Sequence, residues 1–192
     1  MNLETYYSEA LRTLVPRGLT FDLNHSVIGL VTEIGEVATL IKRNEIYGKP
    51  FDDEMRAHLA EELGDICWYI PCGLQALGYE NFSDVARMMD GDPRNLIPFE
   101  QTTVVKMLVV QMSRIIRSVA ALPHRGGECQ KICKGFVEIL YGIMRLCQIH
   151  SLDFHDVLAG NIAKLRARYP EKFTPELAEA RLDKGGKSSR ES

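Results

Sequence analysis

Apolar residues recur at three- and four-residue intervals along nearly the whole chain, and no segment sustains a period-two alternation. That pattern predicts an all-α protein. A first helix is expected over about 2–14, ending at Pro16-Arg17-Gly18. A second is expected over about 24–44, ended by Tyr47-Gly48-Lys49-Pro50. Asp52 and Asp53 can cap a third over about 53–77, with Gly78 at its C-terminal cap. Pro71 is expected to kink this helix, because proline removes one backbone bond and clashes a turn back. Ser83 opens a short helical turn, and Asp90 to Pro98 reads as a loop. Two further long helices, about 100–122 and 128–150, flank a turn at Pro123-His124-Arg125-Gly126-Gly127. A last helix, capped by Ser151 or Asp153, covers about 154–169 and stops at Pro170. Beyond residue 174 the chain turns polar and is expected to be disordered.

The chain has 192 residues, 45% hydrophobic and 26% charged, which suits one globular domain over 1–174. A formal net charge of −3 gives no reason to expect nucleic acid or an anionic membrane as a partner. No basic segment followed by an apolar run opens the sequence, and charge interrupts every apolar stretch before it can span a bilayer. The five cysteines sit mostly among apolar residues without a CxxC pair, as expected of reduced core residues in a cytoplasmic protein. A weak repeat aligns Ile66 to Val85 with Ile139 to Val157, setting Asp84 against Asp156 and Asp65 against Glu138.

Charge placement changes the picture more than charge balance does. Glu33 and Glu36 form an ExxE pair, and Glu62 and Asp65 an ExxD pair. Residues three apart lie on one helix face with Cβ atoms roughly 5–6 Å apart. If the two helices pack antiparallel, four carboxylates converge. Val27, Leu30 and Ile34 border the first pair, and Leu59, Leu63 and Ile66 the second, so some of the acids must lie near the buried stripe. Carboxylates gathered there repel and take up protons unless a cation neutralises them. Oxygen donors completed by water suit Mg²⁺, for which Mn²⁺ can substitute. Gly35 and Gly64 lie inside the pairs and weaken their helices, a loss that close approach of a helix or ligand can offset. Any single ExxE on a helix is ordinarily a solvated face. Two pairs on consecutive helices, each holding a glycine, are less ordinary.

The run His25-Ser-Val-Ile-Gly-Leu-Val-Thr-Glu33-Ile-Gly-Glu36, followed by Glu61-Glu62-Leu-Gly-Asp65-Ile-Cys-Trp68-Tyr69, resembles the ExxE…ExxD signature of MazG-like pyrophosphohydrolases. Asn161-Ile-Ala-Lys164-Leu-Arg-Ala-Arg168-Tyr169-Pro170 is similar to a segment that follows in many members. The resemblance implies a helical bundle of the all-alpha NTP pyrophosphatase type, acting as a homodimer. It implies Mg²⁺-dependent hydrolysis of the α–β phosphoanhydride of nucleoside triphosphates, giving monophosphate and pyrophosphate. The chain departs from the compact pattern through an inserted helical pair at about 98–150. That pair reads as a degenerate second copy, with Gln111, Arg114, Gly135 and Glu138 near the positions of the acids.

Within this reading Glu33, Glu36, Glu62 and Asp65 are the metal ligands. Glu61 is a weak candidate base, since it points about 100° away from Glu62 on an ideal helix. Lys164 and Arg168, four apart, are candidate phosphate partners. Asn161 can read a base or orient a phosphate, Lys42 can reach phosphate from the other side, and His25 and Trp68 can contact the nucleotide. Each also has an ordinary role as a cap, surface or core residue. The competing reading is a regulatory helical module that binds metal and nucleotide without turnover. No GxGxxG or GxxxxGK[ST] motif favours a Rossmann or P-loop enzyme.

Overall fold

The structure, a computed structural model, describes residues 1–86, 99–122 and 127–169. Among them are seven α-helices and no strand: α1 (Leu3–Leu11), α2 (Leu19–Glu45), α3 (Asp53–Ala76), α4 (Phe82–Ala86), α5 (Gln101–Ala121), α6 (Glu128–Ile149) and α7 (Phe154–Arg168). The all-α expectation holds. The expected loop at 90–98, most of the turn at 123–127, the stop at Pro170 and the tail from 175 lie outside the described residues.

Side-chain caps start most of the helices. Asn2, Asp52, Glu100 and Asp153 each accept a backbone N–H from the first turn of α1, α3, α5 and α7. The largest departure from the sequence reading is at α2, which begins five residues early, at Leu19. The buried Asp22 carboxylate accepts the backbone N–H groups of Arg17 and Gly18, tying the preceding chain to the first turn. Helix α3 runs on through Pro71 to Ala76.

Two antiparallel helix pairs build the bundle. Across α2 and α3, Ser26 Oγ donates to the Tyr69 carbonyl and Glu33 lies beside Glu62, so residue numbers rise on one helix as they fall on the other. Across α5 and α6, Ile115 meets Gly135 and Leu108 meets Gly142 in the same sense. Helix α2 packs on α5 and α3 on α6, while α1 and α7 cover another side of α3. Leu30, Ile34, Leu59, Leu63, Ile66, Phe136, Ile139 and Ile143 fill the shared core. Cys67, Cys72, Cys133 and Cys147 are buried and Cys129 is exposed, all as free thiols. No described helix is long and apolar enough to cross a membrane.

The second pair is antiparallel like the first but differs from it in chemistry. Asn81 caps α4 as Asp153 caps α7, with Asp84 and Asp156 as the matched third residues. Where an acidic pair would fall on α5, Gln111 and Arg114 bond to each other; where its partner would fall on α6, Gly135 receives the side chain of Ile115. A Cβ at Gly135 would come 2.5 Å from Ile115 Cγ1, whereas one at Gly35 would meet nothing within 4 Å. Gly35→Ala is therefore expected to stabilise the protein by roughly 0.5–1 kcal/mol through helix propensity. Gly135→Ala is expected to destabilise it by about 1–2 kcal/mol through overpacking. Chemical denaturation of both variants checks this; equal signs for the two would contradict the packing described.

Candidate metal centre

The antiparallel pairing of α2 and α3 brings Glu33, Glu36, Glu62 and Asp65 together. Ligand atoms of Glu33, Glu62 and Asp65 lie within 4.8 Å of one another, and so do those of Glu36, His58 and Glu62. Glu62 belongs to both groups and is 5% exposed. The apolar residues beside it on α3, Leu59, Leu63 and Ile66, are fully buried, so the helix phase that seats the core also draws Glu62 out of water.

That placement has an electrostatic cost. Burial, then repulsion from Glu36 and Asp65, pushes the Glu62 carboxyl up to about 8. Burial, then repulsion from Asp65, also raises Glu33, which hydrogen-bonds Glu62. Their hydrogen bond and their raised carboxyls favour a proton on the pair. Burial raises Asp65 as well, although Lys164 opposes it. A carboxylate set in which burial and mutual repulsion push three carboxyls up suits exchange of protons for a hard divalent cation, and Mg²⁺ or Mn²⁺ fits it.

His58 is a member of the cluster that the sequence reading missed. Its Nε2 lies 2.8 Å from Glu62 Oε1. The signal was its position four residues before Glu62, on the same face of α3. An imidazole beside carboxylates is better tolerated by Mn²⁺ than by Mg²⁺.

Helix α7 supplies the basic side. Lys164 Nζ sits 2.5 Å from each oxygen of Asp65 and 3.3 Å from Glu61 Oε1. The Arg168 charge also acts on Asp65 and helps hold its carboxyl down. Asn161 Nδ2 donates to Asp65 Oδ1 at 2.8 Å, and the buried Tyr6 hydroxyl donates to Asn161 Oδ1 at 2.8 Å. Tyr6 thus fixes which end of the amide faces Asp65. Gly64 lets α7 in: a Cβ there would stand 3.0 Å from Asn161 Cβ. The close approach expected at the two acid-pair glycines occurs at Gly64; the space around Gly35 is open.

A cavity of about 790 Å³ opens at the acids. Its walls include Glu33, Glu36, Glu61, Glu62, Asp65, Lys164 and Arg168, with His25, Trp68 and Tyr69. The three rings meet edge to face with centroids 5.0–5.7 Å apart. Trp68 is held from behind, its Nε1 donating to Thr13 Oγ1 and the Ala10 carbonyl. The ring of Tyr69, at the end of the second acidic motif, lies against Gly29 of α2, where a Cβ would clash. Two expected substrate residues lie elsewhere. Lys42, in the last turn of α2, is not in the cavity wall and has its Nζ 5.8 Å from the Tyr47 ring centroid. Asn161 is buried behind Asp65 and holds that carboxylate instead of facing the cavity. Glu61 lines the cavity outside the two close groups.

A volume of this order accommodates a nucleotide-sized molecule. The arrangement offers oxygen donors for a cation, two cationic side chains for an anion, and aromatic edges and faces for a planar ring. No family model, curated protein or solved structure matches the chain.

Two outcomes follow for the metal-free protein. A carboxyl whose folded pKa is raised binds its proton more tightly when folded, so its contribution to stability is lost as pH rises toward the folded value. His150 works in the opposite direction: burial lowers its pKa to about 4, so its effect ends near the ordinary histidine value. Stability should therefore fall between about pH 6.5 and 8, and Glu62→Gln should flatten the fall. Urea unfolding across that range measures it; a flat or rising profile in the wild type would contradict the crowding of the acids. Millimolar Mg²⁺ or Mn²⁺ should raise the melting temperature of the wild type by mass action, and less so in the Glu33→Gln, Glu62→Gln double variant. A melting temperature indifferent to the metal would contradict the fit.

Proposed function

We propose that this chain is a divalent-metal-dependent nucleoside triphosphate pyrophosphohydrolase of the MazG-like, all-alpha NTP pyrophosphatase type. Its products are a nucleoside monophosphate and pyrophosphate. One observation carries the reading: Lys164 and Arg168 of α7 lie at the same cavity as the acids of α2 and α3, although Lys164 is 99 residues from Asp65. A polyphosphate brought to a cation held by these acids would meet both basic side chains in the same cavity wall. The homodimer belongs to the same proposal and rests on the sequence resemblance; the cytoplasmic setting rests on the free cysteines.

In this reading Glu33, Glu36, Glu62 and Asp65 hold the cation, with His58 beside them. The cation supplies charge neutralisation on the phosphoryl groups and makes water a stronger acid. The remaining work falls to the chain's own groups. Lys164 and Arg168 give charge-assisted hydrogen bonds to phosphate oxygens, Arg168 through a planar fork that fits two of them. A triphosphate carries roughly four negative charges near neutral pH, more than the site can hold without such donors. Water adds to phosphorus as the bridging P–O bond breaks, and the proton it loses goes to a carboxylate in the cavity wall. Glu33, Glu36 and Glu61 all stand there. His25, Trp68 and Tyr69 offer the base an aromatic seat.

Incubation of a panel of nucleoside triphosphates with Mg²⁺ or Mn²⁺, scored for monophosphate and pyrophosphate, tests the reading. Pyrophosphate release from at least one of them is expected. Metal and nucleotide binding without turnover would favour the regulatory-module reading instead. Glu36→Ala and Asp65→Ala should abolish release with the helical signal intact. Activity within about threefold of wild type would remove these residues from the site. Arg168→Ala should weaken turnover or substrate binding about tenfold or more and leave metal binding without nucleotide nearly unchanged, the scale of one lost charge-assisted contact.

A further inference from the structure

Asp65 is both a proposed cation ligand and the most heavily engaged carboxylate in the site. Lys164 Nζ contacts both of its oxygens, and Asn161 Nδ2 takes Oδ1 as well. The same ammonium group reaches Glu61. The Lys164 side chain is 15% exposed and that of Asp65 is 27% exposed, so this contact is shielded from bulk water compared with a surface ion pair. An ammonium group and a divalent cation cannot both take the same carboxylate lone pairs. Lys164 also has somewhere to go. It lies in the wall of the 790 Å³ cavity and in the wall of a second one, of about 730 Å³, that shares Glu61 with the first.

We propose that Lys164 is a built-in counter-ion that occupies Asp65 until the cation arrives, and that cation binding releases its ammonium group toward the phosphates of the substrate. The inference rests on the metal-dependent reading above and adds an order of events to it. Without a cation, Lys164 supplies the positive charge that lets Asp65 stay among Glu33, Glu61 and Glu62. With the cation present that need is gone, and the two positive charges repel. Asn161, oriented by Tyr6, keeps Asp65 in place throughout, since its amide is neutral and does not compete for charge. The result is positive coupling between metal and polyphosphate. The metal frees a phosphate donor, and a phosphate that holds Lys164 leaves Asp65 open to the metal. Glu61 loses the same partner and gains lone pairs facing the cavity.

The test is Mn²⁺ affinity without nucleotide, read from the spin-resonance signal of free Mn²⁺. All variants are compared in one buffer at one pH. Removing the competitor in Lys164→Gln should tighten Mn²⁺ binding by about threefold or more, a modest coupling. Lys164→Arg keeps a cation on Asp65 and should bind no more tightly than wild type. An affinity of Lys164→Gln that is weaker, or tighter by less than about threefold, would overturn the proposal while leaving the metal centre standing. A wild type that binds no Mn²⁺ would overturn the metal reading itself and the proposal with it. Amine acylation of the wild type followed by mass spectrometry gives a second readout that needs no variant. Lys164 should be modified faster when Mg²⁺ is added; an equal or slower rate would contradict its release.

Discussion

Like charges held a few ångströms apart and partly out of water set the terms on which α2 and α3 can pack. The core stripe of α3, with Leu59, Leu63 and Ile66 buried, fixes the rotation of that helix. With the rotation fixed, Glu62 is carried into the interface, where Glu33, Glu36 and Asp65 already crowd it. The hydrophobic contacts of a helix pair this long outweigh the repulsion. The repulsion is relieved by protonation, which the raised Glu62 carboxyl favours, and by Lys164 beside Asp65, while His58 Nε2 contacts Glu62. Each of these compensations is replaceable by a divalent cation, and that is the physical basis for reading the site as a metal centre.

Helix α7 depends on the same constraint. It approaches α3 closely enough for Asn161 to touch Gly64 only because that position lacks a side chain, and the approach delivers Asn161 and Lys164 to Asp65 together. Tyr6 of α1 completes the arrangement from below, buried and bonded to Asn161. The second helix pair has no such charge conflict. Gly135 and Ile115 interlock where acids would stand, and α5 and α6 pack behind the first pair through such close contacts.

Much of this was legible in the sequence, for physical reasons that differ by element. The long helices announce themselves through apolar spacing and side-chain caps such as Asp52 and Asp153, which act locally. The start of α2 did not, because its anchor is Asp22 reaching back to Arg17 and Gly18, and Gly18 reads as a breaker. The acid pairs were legible because helical spacing alone puts Glu33 with Glu36 and Glu62 with Asp65. Their meeting across the interface needed only an antiparallel pair. The roles of Asn161, Lys42 and His58 were not legible. Asn161 turns inward because Gly64 admits it, Lys42 lies two turns beyond the site beside Tyr47, and His58 is a single residue with no motif around it.

The central claim is that a divalent cation belongs among the carboxylates of α2 and α3. The most direct measurement is anomalous scattering from crystals of the protein soaked in Mn²⁺. A peak between Glu33, Glu36, Glu62 and Asp65, lost in Glu62→Gln crystals, is the result this account requires. Crystals whose only Mn²⁺ peaks lie away from these four residues would contradict it.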